Sequence, residues 1–302
     1  MALPRVLVLL AVHNGLPFLQ DQLQTLAGQQ QVSLQVDISD DASTDGSPAL
    51  CAEWAATDPR FRSVNPPGPG GSAAQNFFRL LIAADLRDVD YVAFCDHDDL
   101  WHADRLIRGV ERLQFSGAAL YSSATRAFWP DQRSRVLGQV AEMTQADFLF
   151  EGAGQGCSFL LTVAFARQVQ ALLQKHQPLL AGIHYHDWAV YAAARALGLP
   201  WVFDAQSRLD YRQHDGNDTG ARASGGGVRK RLALIRNGWY AAQVAAISAW
   251  VAAVAPQQPA LQAWQRAKVG SRIGRALWLA RHGRRRGADR AVQVLAALAG
   301  WL

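Results

Sequence analysis

After five residues the chain enters a continuous apolar run, "VLVLLAV" (Val6 to Val12), bounded by the polar pair His13-Asn14. Seven apolar positions in a row, too few to cross a bilayer, are the pattern of a parallel strand covered on both faces. Pro17 can open a helix at its first position, and Leu19, Leu23 and Leu26 then recur at spacings of four and three, one apolar helical stripe. "SLQVDIS" alternates Leu34, Val36 and Ile38, a second strand, and ends in the turn-rich "DDASTDGS". A helical segment around Leu50 to Ala56, a Pro/Gly loop "NPPGPGGS", a helix from Ala73 to Ala84 and a strand "YVAFC" follow. Strand, helix, strand, helix predicts an α/β fold with a mainly parallel sheet. Ligands of such sheets bind beyond the carboxyl ends of the strands. His13-Asn14, Asp40-Asp41 and Asp96 to Asp99 each follow a strand directly, so topology gathers them along one edge.

The C-terminal part has a different pattern. Val228, Leu232, Ile235, Trp239, Tyr240, Val244, Ile247, Val251 and Val254 recur at helical spacing and predict one long amphipathic helix with bases at its start. A second helix is expected from Pro259 to His282, and "RHGRRRGADRAVQVLAALAGWL" predicts an Arg cluster followed by an apolar helix. Charge changes the picture here. Residues 221–302 carry 14 Lys and Arg against one acid, Asp289, whereas the first 220 residues carry 16 bases and 24 acids. The shift at "GARASGGGVRKR" divides the chain into a unit of residues 1–220 and a basic helical region, 221–302. The bases either help these helices pack on the first unit and on each other, or dock them on an anionic membrane face. The three cysteines, Cys51, Cys95 and Cys157, are widely spaced with no CxxC, as reduced thiols of a cytosolic protein would be. The start of the chain has no secretory pattern.

"FCDHDDLWHADR" (Phe94 to Arg105) places four acids and two histidines directly after a strand. Like charges this close repel, and a cation would relieve them. Asp96 and Asp98, one residue apart, can aim two carboxylates at one point, the ligand type that Mg²⁺ prefers; an imidazole from His97 or His214 would favour Mn²⁺. On the residues alone the stretch also reads as a solvated turn in which Asp99 caps a helix starting near His102. Asp40-Asp41 and His186-Asp187 can likewise be read as helix caps.

Order and spacing narrow the choice. "AVHNG", "ISDDASTDGS", "FCDHDDLW", "HDW" (His186 to Trp188) and "YRQHDGN" (Tyr211 to Asn217) follow one another along residues 4–220. In this the chain resembles the family 2 glycosyltransferases of GT-A fold, most of all bacterial rhamnosyltransferase-like enzymes of surface polysaccharide synthesis. The resemblance implies that Asp41 accepts from the pyrimidine N3–H of a UDP- or dTDP-linked sugar, with Ala11, His13, Asn14, Asp40, Asn76, Asp96, His97 and Arg212 around the nucleotide. His13 stands where an aromatic residue is usual. Ala42 replaces a usual glycine, from which a negative φ is expected. Asp96, Asp98 and His214 are the implied ligands of Mn²⁺ or Mg²⁺. Asp187 is the implied catalytic base, and Gly156, Cys157, Trp101, His186 and Trp188 the implied sugar and acceptor pocket.

The reaction so implied is an inverting, metal-dependent transfer of a sugar, rhamnose among the candidates, to a saccharide or lipid-linked acceptor. It would take place in the cytoplasm, with the enzyme peripheral on the inner membrane face. Two other classes have different signatures. A metal-dependent nucleotidyltransferase could use the same acids and would release pyrophosphate. A nucleic-acid-binding protein could use the basic tail, but that leaves the acidic clusters without a purpose, and no nucleic acid is expected as partner.

Overall fold

The structure is a computed structural model that describes residues 2–67, 70–214 and 233–302. Strands β1 (Arg5–Val12), β2 (Ser33–Asp40), β3 (Phe61–Ser63), β4 (Tyr91–Asp96), β6 (Leu120–Ser123), β9 (Leu160–Thr162) and β10 (Trp201–Asp204) form a seven-stranded sheet in the order β10-β6-β9-β4-β1-β2-β3. Only β9 runs antiparallel to its neighbours, β4 and β6. The expected mainly parallel α/β architecture is therefore the one found. A second, four-stranded sheet, β5-β11-β7-β8, is built from β5 (Leu100–Trp101), β7 (Thr125–Phe128), β8 (Ser134–Leu137) and β11 (Leu209–Arg212). The hydrophobic pattern did not predict it, because its strands are only two to four residues long.

Both faces of β1 are covered. Leu7 and Leu9 pack in one cluster with Phe77 and Phe94, while Val6, Val8 and Leu10 pack in another with Leu19, Leu23 and Leu26. Successive side chains of a strand point to opposite faces, so a strand between two layers must be apolar throughout. Helices α1 (Leu16–Ala27), α2 (Ser47–Thr57) and α4 (Arg105–Ser116) contribute to the second cluster. Helices α3 (Ala73–Ala83), α5 (Val163–Lys175) and α7 (His186–Ala196) contribute to the first, as does the single turn α6 (Gln177–Leu180).

The C-terminal region differs from the long helices expected of it. Val228 and Leu232 lie outside the described residues. Gly238, at φ +80°, breaks the first predicted helix, and α8 runs only over Trp239–Val254. The second divides at Gly270 into α9 (Pro259–Val269) and α10 (Arg272–His282), with the Ser271 hydroxyl accepting from Gly274 N–H at 3.0 Å. The last is α11 (Gly287–Ala299). Among the described residues no helix is long and apolar enough to cross a membrane.

These helices join the core of the rest. Ile247, Trp250, Leu261, Trp264 and Leu279 belong to the same cluster as Phe77 and Tyr191, and Trp250 Nε1 donates to Ala189 O at 2.9 Å. Of the expected arginine cluster, Arg285 is buried. It pairs with Asp147 at 3.3 Å and Glu151 at 3.4 Å, while Arg195 meets Asp147 at 2.6 Å. Burial raises the Asp147 pKa, and the two guanidiniums and the Tyr191 hydroxyl act against it. Removing one partner of a buried ion pair leaves an uncompensated charge and costs about 3–5 kcal/mol. Arg285→Met should lower the free energy of unfolding by about that much, read as a fall in the urea midpoint; an unchanged midpoint would show that the network contributes nothing net.

Candidate active site

Three strand ends meet at the centre of the sheet. Ala11 on β1 stands level with Ser39 on β2 and Asp96 on β4, and Val12 with Asp40. The loops beyond are stitched together. Asp41 N–H donates to Val12 O at 2.8 Å, Asn14 N–H to the Ser43 hydroxyl at 2.8 Å, and Thr44 N–H to Asn14 Oδ1 at 2.8 Å. Asn14 has φ +46°, which asparagine tolerates. Ala42 has φ +56°, contrary to the negative φ expected from the absence of glycine. The left-handed conformation costs an alanine about 1–2 kcal/mol. The loop is held on either side: the Asp40 carboxylate accepts from Ser43 N–H at 3.0 Å, and His13 Nδ1 lies 2.8 Å from Asp41 O. Asp40 and Asp41 therefore do not cap α2.

Asp41 is a pocket wall. Its carboxylate accepts from Gly71 N–H at 2.6 Å and from Arg79 at 3.0 Å. A Cβ on Gly70 would stand 1.7 Å from Asp41 Oδ1, so only glycine lets the loop close so tightly over the acid. Two oxygens offer about four lone-pair directions, which leaves acceptor capacity for a ligand N–H. Asn76 on α3 is buried and ties this wall to the sheet: its Oδ1 accepts from the Ser39 hydroxyl at 2.7 Å and its Nδ2 donates to Ser39 O at 3.0 Å.

A cavity of about 640 Å³ opens in front of these ends, lined by Ala11, His13, Asn14, Asp41, Asn76, Asp96, His97, Asp98 and His214 among others. Phe18, Gly71, Ser72, His184 and Tyr211 complete much of the wall. Asp40 and Arg79 line an adjoining hollow. His214 Nε2 lies 2.8 Å from Asp98 Oδ2, and its ring stacks on Phe18 at 4.6 Å. Desolvation lowers the His97 pKa, which keeps that imidazole neutral. Arg212 is not in the cavity wall. It clamps the acidic loop from behind, donating to Asp98 O at 2.9 Å and to Asp21 at 2.9 Å.

Asp99 caps no helix. Helix α4 starts at Arg105, three residues later than expected, and the Asp99 carboxylate is fully buried, accepting from Arg212 N–H at 3.3 Å. Burial, then the charges of Asp98 and Asp96, raise its pKa well above the ordinary range. Ligand atoms of Asp96, Asp99 and Cys157 lie within 4.8 Å of one another. Burial and the neighbouring carboxylates push the Cys157 thiol up as well, which disfavours the thiolate that a metal would need.

The expected acceptor residues are dispersed. Trp101 is buried on β5 with the Arg105 guanidinium 3.6 Å from its ring centroid. Trp188 is buried, its Nε1 donating to Phe148 O at 2.8 Å. Cys157 is in the core, its carbonyl accepting from Arg105. None of the three side chains reaches the cavity, because each completes an apolar layer instead. His186 packs on Phe77 at 4.0 Å and is held neutral, with burial lowering its pKa to about 3. A Cβ on Gly156 would come 2.4 Å from His186 Nε2, so glycine there makes room for the imidazole.

Asp187, the expected base, sits half-buried in the first turn of α7 and is not among the residues that line the cavity; His184, three residues before it, is. Desolvation raises its pKa to about 7, against hydrogen bonds from Trp188 N–H and Gly156 N–H.

Comparison with known proteins identifies the family. The family described as "Glycosyl transferase family 2" matches residues 7–158. A "dTDP-rhamnosyl transferase RfbG" of Shigella flexneri is 33% identical over 240 residues, covering 79% of this chain and 83% of that protein. The chain belongs to glycosyltransferase family 2. It is a glycosyltransferase, which decides against nucleotidyl transfer and against nucleic-acid binding as its activity. "Succinoglycan biosynthesis protein ExoO" of Rhizobium meliloti (strain 1021) is 30% identical over 47% of this chain and 39% of its own length. Among solved structures, S. aureus TarS 1-349 in complex with UDP-GlcNAc superposes with a TM-score of 0.53 at 12% identity, over 98% of this chain and 91% of that one. Mannosyltransferase PcManGT from Pyrobaculum calidifontis, in complex with GDP-Man and Mn2+, gives 0.51 at 18% identity, over 99% and 87%. The fold is GT-A with a helical C-terminal region.

In this family member, sequence reading passed over Arg79, Phe18, Gly71 and His184. Arg79 lies one helical turn from Asn76 and donates to its Oδ1 at 3.1 Å, a spacing visible in the sequence. Gly71 lies within the Pro/Gly loop "NPPGPGGS" and His184 two residues before "HDW"; Phe18 carries no signal until β11 brings His214 beside it.

The Asp187 shift has a consequence for stability. Its folded pKa of about 7 lies above the ordinary 3.8, so across that interval the native state holds a proton that the unfolded chain has released. Stability therefore falls as pH rises through the interval. Asp187→Asn has no such proton. Its stability relative to wild type should rise from about pH 4 to about pH 8 in urea titrations; parallel curves would show that Asp187 titrates normally.

Proposed function

We propose that this glycosyltransferase moves a deoxyhexose of the rhamnose type from a pyrimidine nucleoside diphosphate to a hydroxyl of a saccharide or lipid-linked saccharide, inverting the anomeric carbon. The observation that carries the reading is one cavity shared by a carboxylate wall at Asp41 and an acidic edge at Asp96 and Asp98. The identity to a dTDP-rhamnosyl transferase supports the donor. Asp41, held by Gly71 and Arg79, would accept from the base N3–H, with His13 against the ring and Asn14, Asn76 and Ala11 beside the ribose and diphosphate.

Asp96, Asp98 and His214 line one cavity and are ligand types that a hard divalent cation accepts, although their ligand atoms are not gathered within 4.8 Å as those of Asp96, Asp99 and Cys157 are. They would hold Mn²⁺ or Mg²⁺, and the Mn2+ in the PcManGT complex accords with this. The bound ion would offset charge on the departing diphosphate. Arg212 keeps the acidic loop in place from behind.

Asp187 is the base in this reading. A carboxylate with a pKa of about 7 accepts a proton from the attacking hydroxyl far more readily than an ordinary one, and such help gives about 10²–10⁴-fold in rate. A single displacement inverts the centre and requires no covalent intermediate. A lipid-linked acceptor would put the reaction in the cytoplasm at the inner membrane face in this reading.

A donor panel with added Mn²⁺ tests this. Release of nucleoside diphosphate should be highest with dTDP- or UDP-linked sugars; equal use of purine donors would remove Asp41 as a pyrimidine reader. Asp98→Asn should retain the fold and lose metal-dependent turnover. Asp187→Asn should bind donor normally and lose about 10²–10⁴-fold in kcat. The wild-type rate should rise with pH through about 7, where the base loses its proton; normal turnover in Asp187→Asn would refute the assignment.

A further inference from the structure

Helix α11 is built inside out. Its polar Gln293 is buried and accepts from Arg284 N–H at 3.1 Å, and Asp289 faces Arg284 at 4.0 Å. Its outward stripe is apolar: Val292, Leu295 and Leu298 are exposed at successive three-residue steps, Leu295 at 64%, with Trp301 beyond them at 41%. The adjoining α10 does the same with Ile273 at 66% and Leu277 at 65%. A helix in contact with water places its apolar stripe inward and its polar residues outward. Contiguous exposed apolar surface of this kind marks a site that something covers.

Charge identifies what covers it. Among residues 233–302 the only acid is Asp289, and it faces Arg284. Arg236, Arg266, Lys268, Arg272, Arg281 and Arg286 are all exposed. Arg236 lies 5.8 Å from the Trp301 ring centroid, so cation and apolar side chain share one surface. A second copy would bring the same cations face to face, which disfavours self-association. No helix among the described residues is long and apolar enough to span a bilayer, so these helices would lie on one.

We propose that α10 and α11 form a docking surface for an anionic lipid bilayer, with Ile273, Leu277, Leu295, Leu298 and Trp301 entering the interface and the surrounding cations meeting lipid phosphates. This narrows the membrane contact expected of residues 221–302 to the last two helices, because α8 packs into the core. The surface is separate from the cavity, and the inference does not depend on the sugar or the metal.

Flotation of the full chain tests it, using vesicles of phosphatidylcholine alone and of phosphatidylcholine with phosphatidylglycerol, without nucleotide sugar. The protein should float with the anionic vesicles at low salt. Leu277→Glu combined with Leu295→Glu and Leu298→Glu should reduce binding by at least about tenfold, while circular dichroism and nucleoside diphosphate release in solution stay as in wild type. Replacing Arg266, Lys268, Arg272 and Arg281 by Gln should reduce binding to anionic vesicles by a similar factor. Equal flotation with both vesicles, or binding indifferent to these changes, would overturn the proposal. So would a concentration-dependent dimer that the Glu variant dissolves, since a second copy would then own the face.

Discussion

Strand β1 bonds to β2 on one side and to β4 on the other, all three running the same way, and the site depends on that pairing. It sets Ala11, Asp40 and Asp96 within one step of each other at the carboxyl edge. A one-residue slip in register would turn each strand's core face to the wrong side. The apolar packing on both faces therefore fixes where the polar ends stand, and the loops need only be tied locally. Backbone and side-chain bonds among Asn14, Asp40, Asp41 and Ser43 do that tying, firmly enough to hold Ala42 at a positive φ.

The acidic edge that this creates is managed by several means at once. Asp99 is withdrawn into the core, where burial raises its pKa and removes a charge from the group. Arg212 secures the loop through a backbone carbonyl, leaving the Asp98 carboxylate for the cavity and for His214. The separation of roles is physical: the withdrawn acid loses its proton with difficulty, and the two in the cavity wall stay available to a cation. Desolvation raises Asp187 as well, to about 7, in the first turn of α7 and outside the residues that line the cavity.

The basic C-terminal region carries two jobs that its composition merges. Arg285 is sequestered in a buried network with Asp147 and Glu151 and fastens the α10–α11 pair to the segment that leads toward Gly156. The exposed cations around α10 and α11 have a single acid near them in sequence, Asp289, and it faces Arg284; the apolar stripe between them has no cover from the core.

Much of this was legible in the chain itself. Periodicity determined the first strands and helices, because an element between two packed layers must be apolar on a two-sided or one-sided period. The order of polar motifs at strand ends pointed to the family and to part of the cavity wall: His13, Asn14, Asp41, Asp96, His97, Asp98 and His214. What only the tertiary structure decided depends on contacts between distant segments. Trp101, Trp188 and Cys157 sit beside functional motifs in sequence, yet fold into the core, since a neighbour on a strand or helix points elsewhere. The left-handed Ala42 follows from bonds to Val12 and His13 across the sheet edge, which no local preference reveals. Arg285 and Arg286 are adjacent and chemically identical; one is buried against Asp147 and the other lies in water, and only the packing of α11 against the rest distinguishes them.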